Sequence, residues 1–227
     1  MTSQEHLVLQ HLSRFVSDHK KEFAEKVMSS RTRHVTVVLE NIYQSQNSSA
    51  VIRTCECMGL QDVHVIEDKS KYSVNRRVLK GAHKWTDIIH HQSKQDDATI
   101  KCFNTLKESG YKILVADPAE EGISIHDVRV DESKIALVFG NELHGVSEIA
   151  QQNADQKIKI PMFGFTESLN ISASVAICLS SLITRLHASP DDYGLSETEK
   201  DAIRLEWYRK IVKRSHLIER EFIRTIR

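Results

Sequence analysis

Three short polar clusters carry the side chains of this sequence that could do chemistry. The first is Asn47-Ser-Ser-Ala-Val-Ile-Arg53, an amide followed six residues later by a guanidinium. The second is Phe139-Gly-Asn-Glu-Leu-His-Gly145, with Glu142 between glycines. The third is Ile160-Pro-Met-Phe-Gly-Phe-Thr-Glu-Ser-Leu-Asn-Ile-Ser172, which offers Ser168 and Asn170. Together they supply amides, a carboxylate, a hydroxyl and a cation. Gly140, Gly145 and Gly164 let backbone approach a ligand closely. Each residue alone has a plainer explanation: Asn47 and Ser168 as helix caps, Arg53 as an exposed helix cation, Glu142 as a surface acid. The joint occurrence of all three clusters is harder to explain that way.

Other chemistries lack their signatures. No G-x-G-x-x-G turn follows the first strand, no G-x-x-x-x-G-K-[ST] loop is present, and G-x-S-x-G is missing. A nicotinamide-dependent oxidoreductase is thereby disfavoured, as are a P-loop nucleotidase and a serine hydrolase. Cys55, Cys57, Cys102 and Cys178 form no C-x-x-C pair, and the twelve histidines show no H-E-x-x-H spacing. Free thiols in or near the core, and no metal, are the expectation.

The elements that must position these clusters follow from periodicity. Residues 4–28 read as one amphipathic helix, and His34–Leu39 as a buried strand. A helix from Asn47 to Met58 stops at Gly59, and Asp62–Ile66 is a second strand. A short basic helix near 74–81, a weak strand at Ile88-Ile89 and a helix over 96–109 come next. Strands at Tyr111–Ala116, Lys134–Phe139 and Lys157–Ile160 lead to a long apolar helix from Ser168 to His187. A last helix begins at Ser196, with Glu199 placed for a capping box, and is expected to run to the C-terminus. Strands that are continuous apolar runs, alternating with helices, specify an α/β fold with a mainly parallel sheet covered on both faces. The clusters then fall at strand ends, where such sheets bind ligands. The expected organisation is one α/β domain over 33–188, an N-terminal helical extension over 1–32 and a basic C-terminal helical extension over 189–227.

No segment reads as a bilayer span or a secretory leader, so the expected location is the cytoplasm. The chain balances 31 Lys and Arg against 31 Asp and Glu, so net charge names no partner. Its distribution does. From Lys69 to Lys84 stand Lys69, Lys71, Arg76, Arg77, Lys80 and Lys84 with no acid, beside Tyr72 and Trp85. From Trp207 to Arg227 stand seven cations, Arg209 and Lys213 among them, against two acids. Cations interleaved with aromatics suit a phosphate backbone with stackable bases; a solvated charged face is the alternative.

In order and spacing, the three clusters resemble the three signature motifs of the TrmH branch of the SPOUT methyltransferases. Asn47 with Arg53, Thr54-Cys55 and Gly59 matches the first. Leu137–Glu142 with Gly145-Val-Ser147 matches the second, and Ile160-Pro-Met162 with Glu167–Ser172 the third. Gly81-Ala-His-Lys-Trp85, in its basic stretch, further resembles the tRNA enzymes of the family that methylate guanosine 18 in the D-loop. The resemblance implies S-adenosylmethionine as methyl donor, a ribose 2′-hydroxyl of tRNA as acceptor, a C-terminal trefoil knot, and a homodimer whose site is completed across the interface. It implies catalytic roles for Arg53, Asn47, Glu142, Ser168 and Asn170. Ala116, Gly140, Ile160 and Leu169 would hold the adenosine through main-chain groups, and Arg76, Arg77, Lys80, Lys84, Arg209 and Lys213 would bind RNA. Arg53 would be either the base that removes the hydroxyl proton, against its high intrinsic pKa, or a permanent cation on a phosphate. A ribosomal RNA substrate and a catalytically inactive RNA-binding assembly factor are the competing readings; the intact residue set speaks against the second.

Overall fold

In a computed structural model of the chain, residues 1–68, 72–93, 97–118 and 122–226 are described. The elements in order are α1 (Ser3–Ser13), α2 (Asp18–Met28), β1 (Val35–Glu40), α3 (Ser45–Cys57), β2 (Asp62–Ile66), α4 (Arg76–Leu79), β3 (Asp87–His91) and α5 (Ala98–Glu108). Then follow β4 (Tyr111–Ala116), β5 (Ile123–Ser124), β6 (Lys134–Phe139), α6 (Glu148–Asn153), β7 (Gln156–Lys159), α7 (Ile171–Ala188), α8 (Glu197–Ile211) and α9 (Ser215–Thr225). They form two units, Thr32–Tyr193 and Met1–Arg31 with Gly194–Arg227. The N- and C-terminal extensions thus belong to one unit, a grouping that their sequences do not announce.

The larger unit is built on a seven-stranded sheet in the order β3-β2-β1-β6-β4-β7-β5, parallel at every pairing. β1 is buried at all six positions, as a strand covered on both faces must be. One face packs Val37, Leu39, Val63 and Leu137 against α3 and α7. The other packs Val38, Ile66, Val115 and Val138 against Phe103 and Leu106 of α5 and Ala150 of α6. By length and composition α7 alone among the described helices could cross a bilayer, contrary to the sequence expectation. Seven of its side chains, Leu179 and Leu182 among them, are buried, so it serves as a core helix here.

The smaller unit packs α1, α8 and α9 around Val8, Leu12, Leu205, Tyr208 and Val212. Arg204 of α8 forks onto Glu25 of α2 at 2.5 and 2.8 Å, and the Arg31 guanidinium lies 5.5 Å from the Trp207 ring centre.

Helix boundaries shift by one or two residues at several places, and three differ in kind from the sequence reading. The first helix is two: α1 closes in a tight turn through Val16, and Ser17 in extended conformation starts α2, with Asp18 at its positive end. The last helix is also two. Arg214 is left-handed at φ 60°, and the Ser215 hydroxyl donates to the freed Arg209 carbonyl at 2.6 Å. The long helix starts at Ile171 instead of Ser168, because Asn170 is non-helical and its side-chain oxygen caps the helix, accepting the Ser172 N–H at 2.9 Å.

Candidate active site

The carboxyl ends of β1, β4, β6 and β7 open onto a cavity of about 570 Å³ within the larger unit. Ala116, Phe139, Gly140, Ile158, Ile160, Met162, Leu169 and Ile171 give its walls an apolar character. Asn47, Asp117, Asn141, Glu142, Glu167, Ser168 and Asn170 line it with polar groups. That is where a parallel sheet of this kind takes a ligand, and the size suits a small organic molecule.

Each sequence cluster reaches the cavity through a local device. Asn47 sits in the first turns of α3, directly after the β1 connection, and is nearly buried. The 140–147 loop turns back on itself: the Gly145 N–H donates to the Asn141 carbonyl at 2.9 Å. The Asn141 side chain accepts the N–H groups of Leu143 and His144 at 3.0 and 2.8 Å. A Cβ on Gly140 would stand 1.9 Å from the Gly145 carbonyl oxygen, so only glycine fits. Residues 161–170 run without regular structure until Asn170 caps α7.

The three clusters meet in one hydrogen-bonded chain. The Asn170 side-chain amide donates to the Asn47 carbonyl oxygen at 3.3 Å, and the Asn47 amide donates to Glu142 and, at 3.2 Å, to Gln44. Residues separated by 95 and 123 positions are thereby tied together at the mouth of the cavity. Ser168 stands beside them, exposed and free to meet a ligand. Ala116, Gly140, Ile160 and Leu169 all line the cavity. Its apolar walls suit a purine, and the carboxylates of Glu142 and Glu167 suit a cationic ligand.

Arg53 is not in this cavity. It is exposed on α3, six residues beyond Asn47, which on a helix means about 120° around the axis and about 9 Å along it. Among the described residues its guanidinium makes no hydrogen bond or ion pair.

Arg76, Arg77, Lys80 and Lys84 are all exposed. Arg76 and Arg77 begin α4, whose cap Asn75 donates its backbone N–H to Ser49 of α3 at 2.8 Å. The patch therefore borders the helix that carries Arg53. Lys69 and Lys71 lie outside the described residues. In the smaller unit Lys213 is exposed, but Arg209 is already engaged. Its guanidinium forks onto Glu219 at 3.0 and 2.5 Å and reaches Glu206 at 2.5 Å, which pushes its pKa further up. Two acids within reach make Arg209 a structural tie and not a free phosphate ligand.

Glu40 escaped the sequence reading. It ends β1 buried, and its carboxylate accepts the Thr99 hydroxyl at 2.8 Å, the Ser147 hydroxyl at 2.7 Å and the Ser147 N–H at 2.8 Å. It anchors the base of the 140–147 loop. The one available signal was an acid closing an otherwise apolar strand, which does not name its partners.

Residues 34–180 match the SpoU rRNA Methylase family. The chain is 44% identical over 208 residues to the tRNA (guanosine(18)-2′-O)-methyltransferase of Borreliella burgdorferi, covering 92% of this chain and 93% of that one. It resembles the crystal structure of an A. aeolicus TrmH/SpoU tRNA modifying enzyme with a TM-score of 0.76 at 27% identity, covering 87% of this chain and 98% of the other. The fold is also that of an AdoMet-bound rRNA methyltransferase from Sinorhizobium meliloti, with a TM-score of 0.59 at 16% identity and coverage of 69% and 58%.

Proposed function

This chain belongs to the SpoU rRNA Methylase family, and from that premise we propose that it methylates the ribose 2′-hydroxyl of guanosine 18 in tRNA. It is an RNA 2′-O-methyltransferase that uses S-adenosylmethionine. The observation that carries the reading is the Asn47–Glu142 and Asn170–Asn47 chain at the mouth of the cavity, which unites all three sequence clusters.

When bound, the sulfonium supplies an activated methyl group. The chain's own residues do the rest. The walls at Ala116, Gly140, Ile160 and Leu169 hold the adenosine, with main-chain groups as the specific contacts. Asn47, Glu142 and Asn170 orient the reacting ribose, and Ser168 takes an adjoining phosphate. Arg53 acts on the attacking hydroxyl as its proton leaves, either by accepting that proton or by holding a phosphate and the developing negative charge through its planar fork.

Arg53 lies outside its own chain's cavity, so the reading requires a homodimer in which the site is completed by a second copy. Leu143, Phe163 and Phe165 support it. They are strongly exposed apolar side chains on the two cavity loops, the kind of surface that a partner covers. The 160–170 connection from β7 into α7 is the segment we assign to the trefoil knot. Arg76, Arg77, Lys80, Lys84 and Lys213 are the proposed phosphate contacts. The four free cysteines fit a reducing compartment, the cytoplasm.

The test is methyl transfer from labelled donor to unmodified tRNA transcripts by the full chain, with mass-spectrometric mapping of the product. One methyl on the ribose of guanosine 18 is expected; label confined to ribosomal RNA overturns the substrate assignment. Light scattering should give twice the 26.0 kDa chain mass, and a 26.0 kDa particle overturns the dimer.

A further inference from the structure

The sequence pointed away from metal, since it holds no C-x-x-C or H-E-x-x-H spacing and Cys55-x-Cys57 has no second pair. The fold nevertheless gathers three potential ligands. His64 lies in β2, His91 ends β3 and Cys102 lies in α5. The parallel register pairs His64 with Ile89 and Ile66 with His91, so both histidines point to the same face of the sheet. That face is the one α5 covers. One ligand atom from each of the three residues lies within 4.8 Å of the others.

We propose that His64, His91 and Cys102 bind one divalent cation of the zinc class, which clasps β2 and β3 to α5.

The donor set fits that class. Two imidazole nitrogens and a thiolate suit zinc or cobalt, and they are a poor match for magnesium or calcium, which take oxygen. Spacing is close to what ligation needs. His64 Nδ1 and His91 Nε2 face each other at 2.9 Å. Around a tetrahedral zinc with bonds of about 2.0 to 2.3 Å, neighbouring ligand atoms stand about 3.3 to 3.7 Å apart. The rings must therefore separate by a few tenths of an ångström, and the Cys102 sulfur, within 4.8 Å of the other ligand atoms, must close by up to about 1 Å. Without a cation, the two facing nitrogens share a single proton between two lone pairs; with one, both lone pairs are used. Binding releases the Cys102 thiol proton to solvent.

Placement fits as well. Cys102 is fully buried, His64 nearly so and His91 half-buried, so the ion has one way in. Three protein ligands leave the fourth position to water on the His91 side. The site lies on the sheet face opposite α7, and none of the three residues lines the methyl-transfer cavity. Its role is to fasten the fold, and it takes no part in methyl transfer.

The experiment uses tag-free, chelator-stripped full-length protein carrying Cys57→Ser, which removes the exposed thiol. Titration with cobalt chloride is expected to saturate at one equivalent and to show a thiolate-to-cobalt charge-transfer band in the near ultraviolet. Zinc chloride should displace the cobalt and raise the melting temperature. Cys102→Ser should abolish the band, and His91→Gln should weaken zinc binding at least ~10-fold. His91 is only half-buried, so this variant keeps the test valid should Cys102→Ser fail to fold. Saturable binding without the thiolate band, affinity unchanged in His91→Gln, or no binding at all each overturns the site. None of these readouts involves methyl transfer, so failure here leaves the methyltransferase assignment standing, and the converse holds.

Discussion

Glu40 and Ser147 are 107 residues apart, yet one carboxylate receives both the backbone N–H and the hydroxyl of the serine, at 2.8 and 2.7 Å. Ser147 also caps α6 through its hydroxyl, at 3.1 Å to the Ala150 N–H. This half-buried contact fixes the far end of the loop that leaves the carboxyl end of β6, and so where Gly140 and Glu142 stand against the cavity. Glu40→Gln would turn an amide N–H₂ toward donors. Hydrogen bonds to a charged group contribute about 1.5–3 kcal/mol, so a melting temperature lower by roughly 3–12 °C is expected for a chain of this size. Affinity for S-adenosylmethionine should fall with it. Calorimetry that finds both unchanged would remove Glu40 from any part in placing the loop.

Gly140→Ala is a sharper test of the same loop. The added methyl would meet the Gly145 carbonyl at 1.9 Å and the Val146 nitrogen at 2.2 Å. Both are backbone atoms that cannot swing aside, so the loop must open. Cofactor binding should weaken by at least ~10-fold, about 1.4 kcal/mol. Isothermal titration at near-native affinity would mean that the loop has another way to close.

Arg53→Ala should leave folding and cofactor binding nearly intact, because the side chain is exposed and outside the cavity. Methyl transfer to tRNA should fall at least ~10²-fold, the scale of a positioned proton-transfer or charge-stabilising group. Arg53→Lys keeps the charge and loses the planar fork, and should not restore the rate. A single-turnover rate above about a tenth of wild type for Arg53→Ala would return Arg53 to an ordinary helix cation.

Charge reversal at Arg76, Arg77 and Lys80 should weaken tRNA binding and flatten its dependence on salt, while cofactor binding stays the same. Arg209→Glu should behave differently, since its partners are Glu206 and Glu219. The expected loss is in thermal stability. Equal tRNA affinity for the triple variant and the wild type, across a salt series, would reduce the patch to a solvated face.

Burial lowers the pKa of His34 from its ordinary 6.5, while its ring nitrogen contacts the Val130 carbonyl at 2.8 Å and Lys134 adds repulsion. A histidine whose folded pKa is depressed supports the fold in its neutral form. Its contribution is whole above pH 6.5 and is lost as pH falls through the lowered folded value. Thermal melts from pH 8 down to pH 5 should therefore decline more steeply for the wild type than for His34→Gln. Parallel slopes would show that other groups govern the acid limb.

Local patterning was enough to read the central strands, the alternation with helices and hence the parallel α/β class. A strand covered on both faces reads as a mostly apolar run, and β1, β4 and β6 carry such runs at Val37–Leu39, Ile113–Ala116 and Ile135–Phe139. The breaks at Ser17 and Arg214 were missed because the apolar period continues through them, and only packing within the smaller unit settles where each helix turns. The three polar clusters were also visible as residues. Their union was not, because hydrogen bonds spanning 95 and 123 positions depend on the order of strands in the sheet, which no local pattern encodes. The same limit hid Glu40 under Ser147 and gathered His64, His91 and Cys102 from three elements. It also left Arg53 to look like a neighbour of Asn47, when helical geometry turns the two side chains to different sides of α3. Sequence determined which groups this protein has for chemistry; the register of the sheet and the turn of one helix decided which of them share a site.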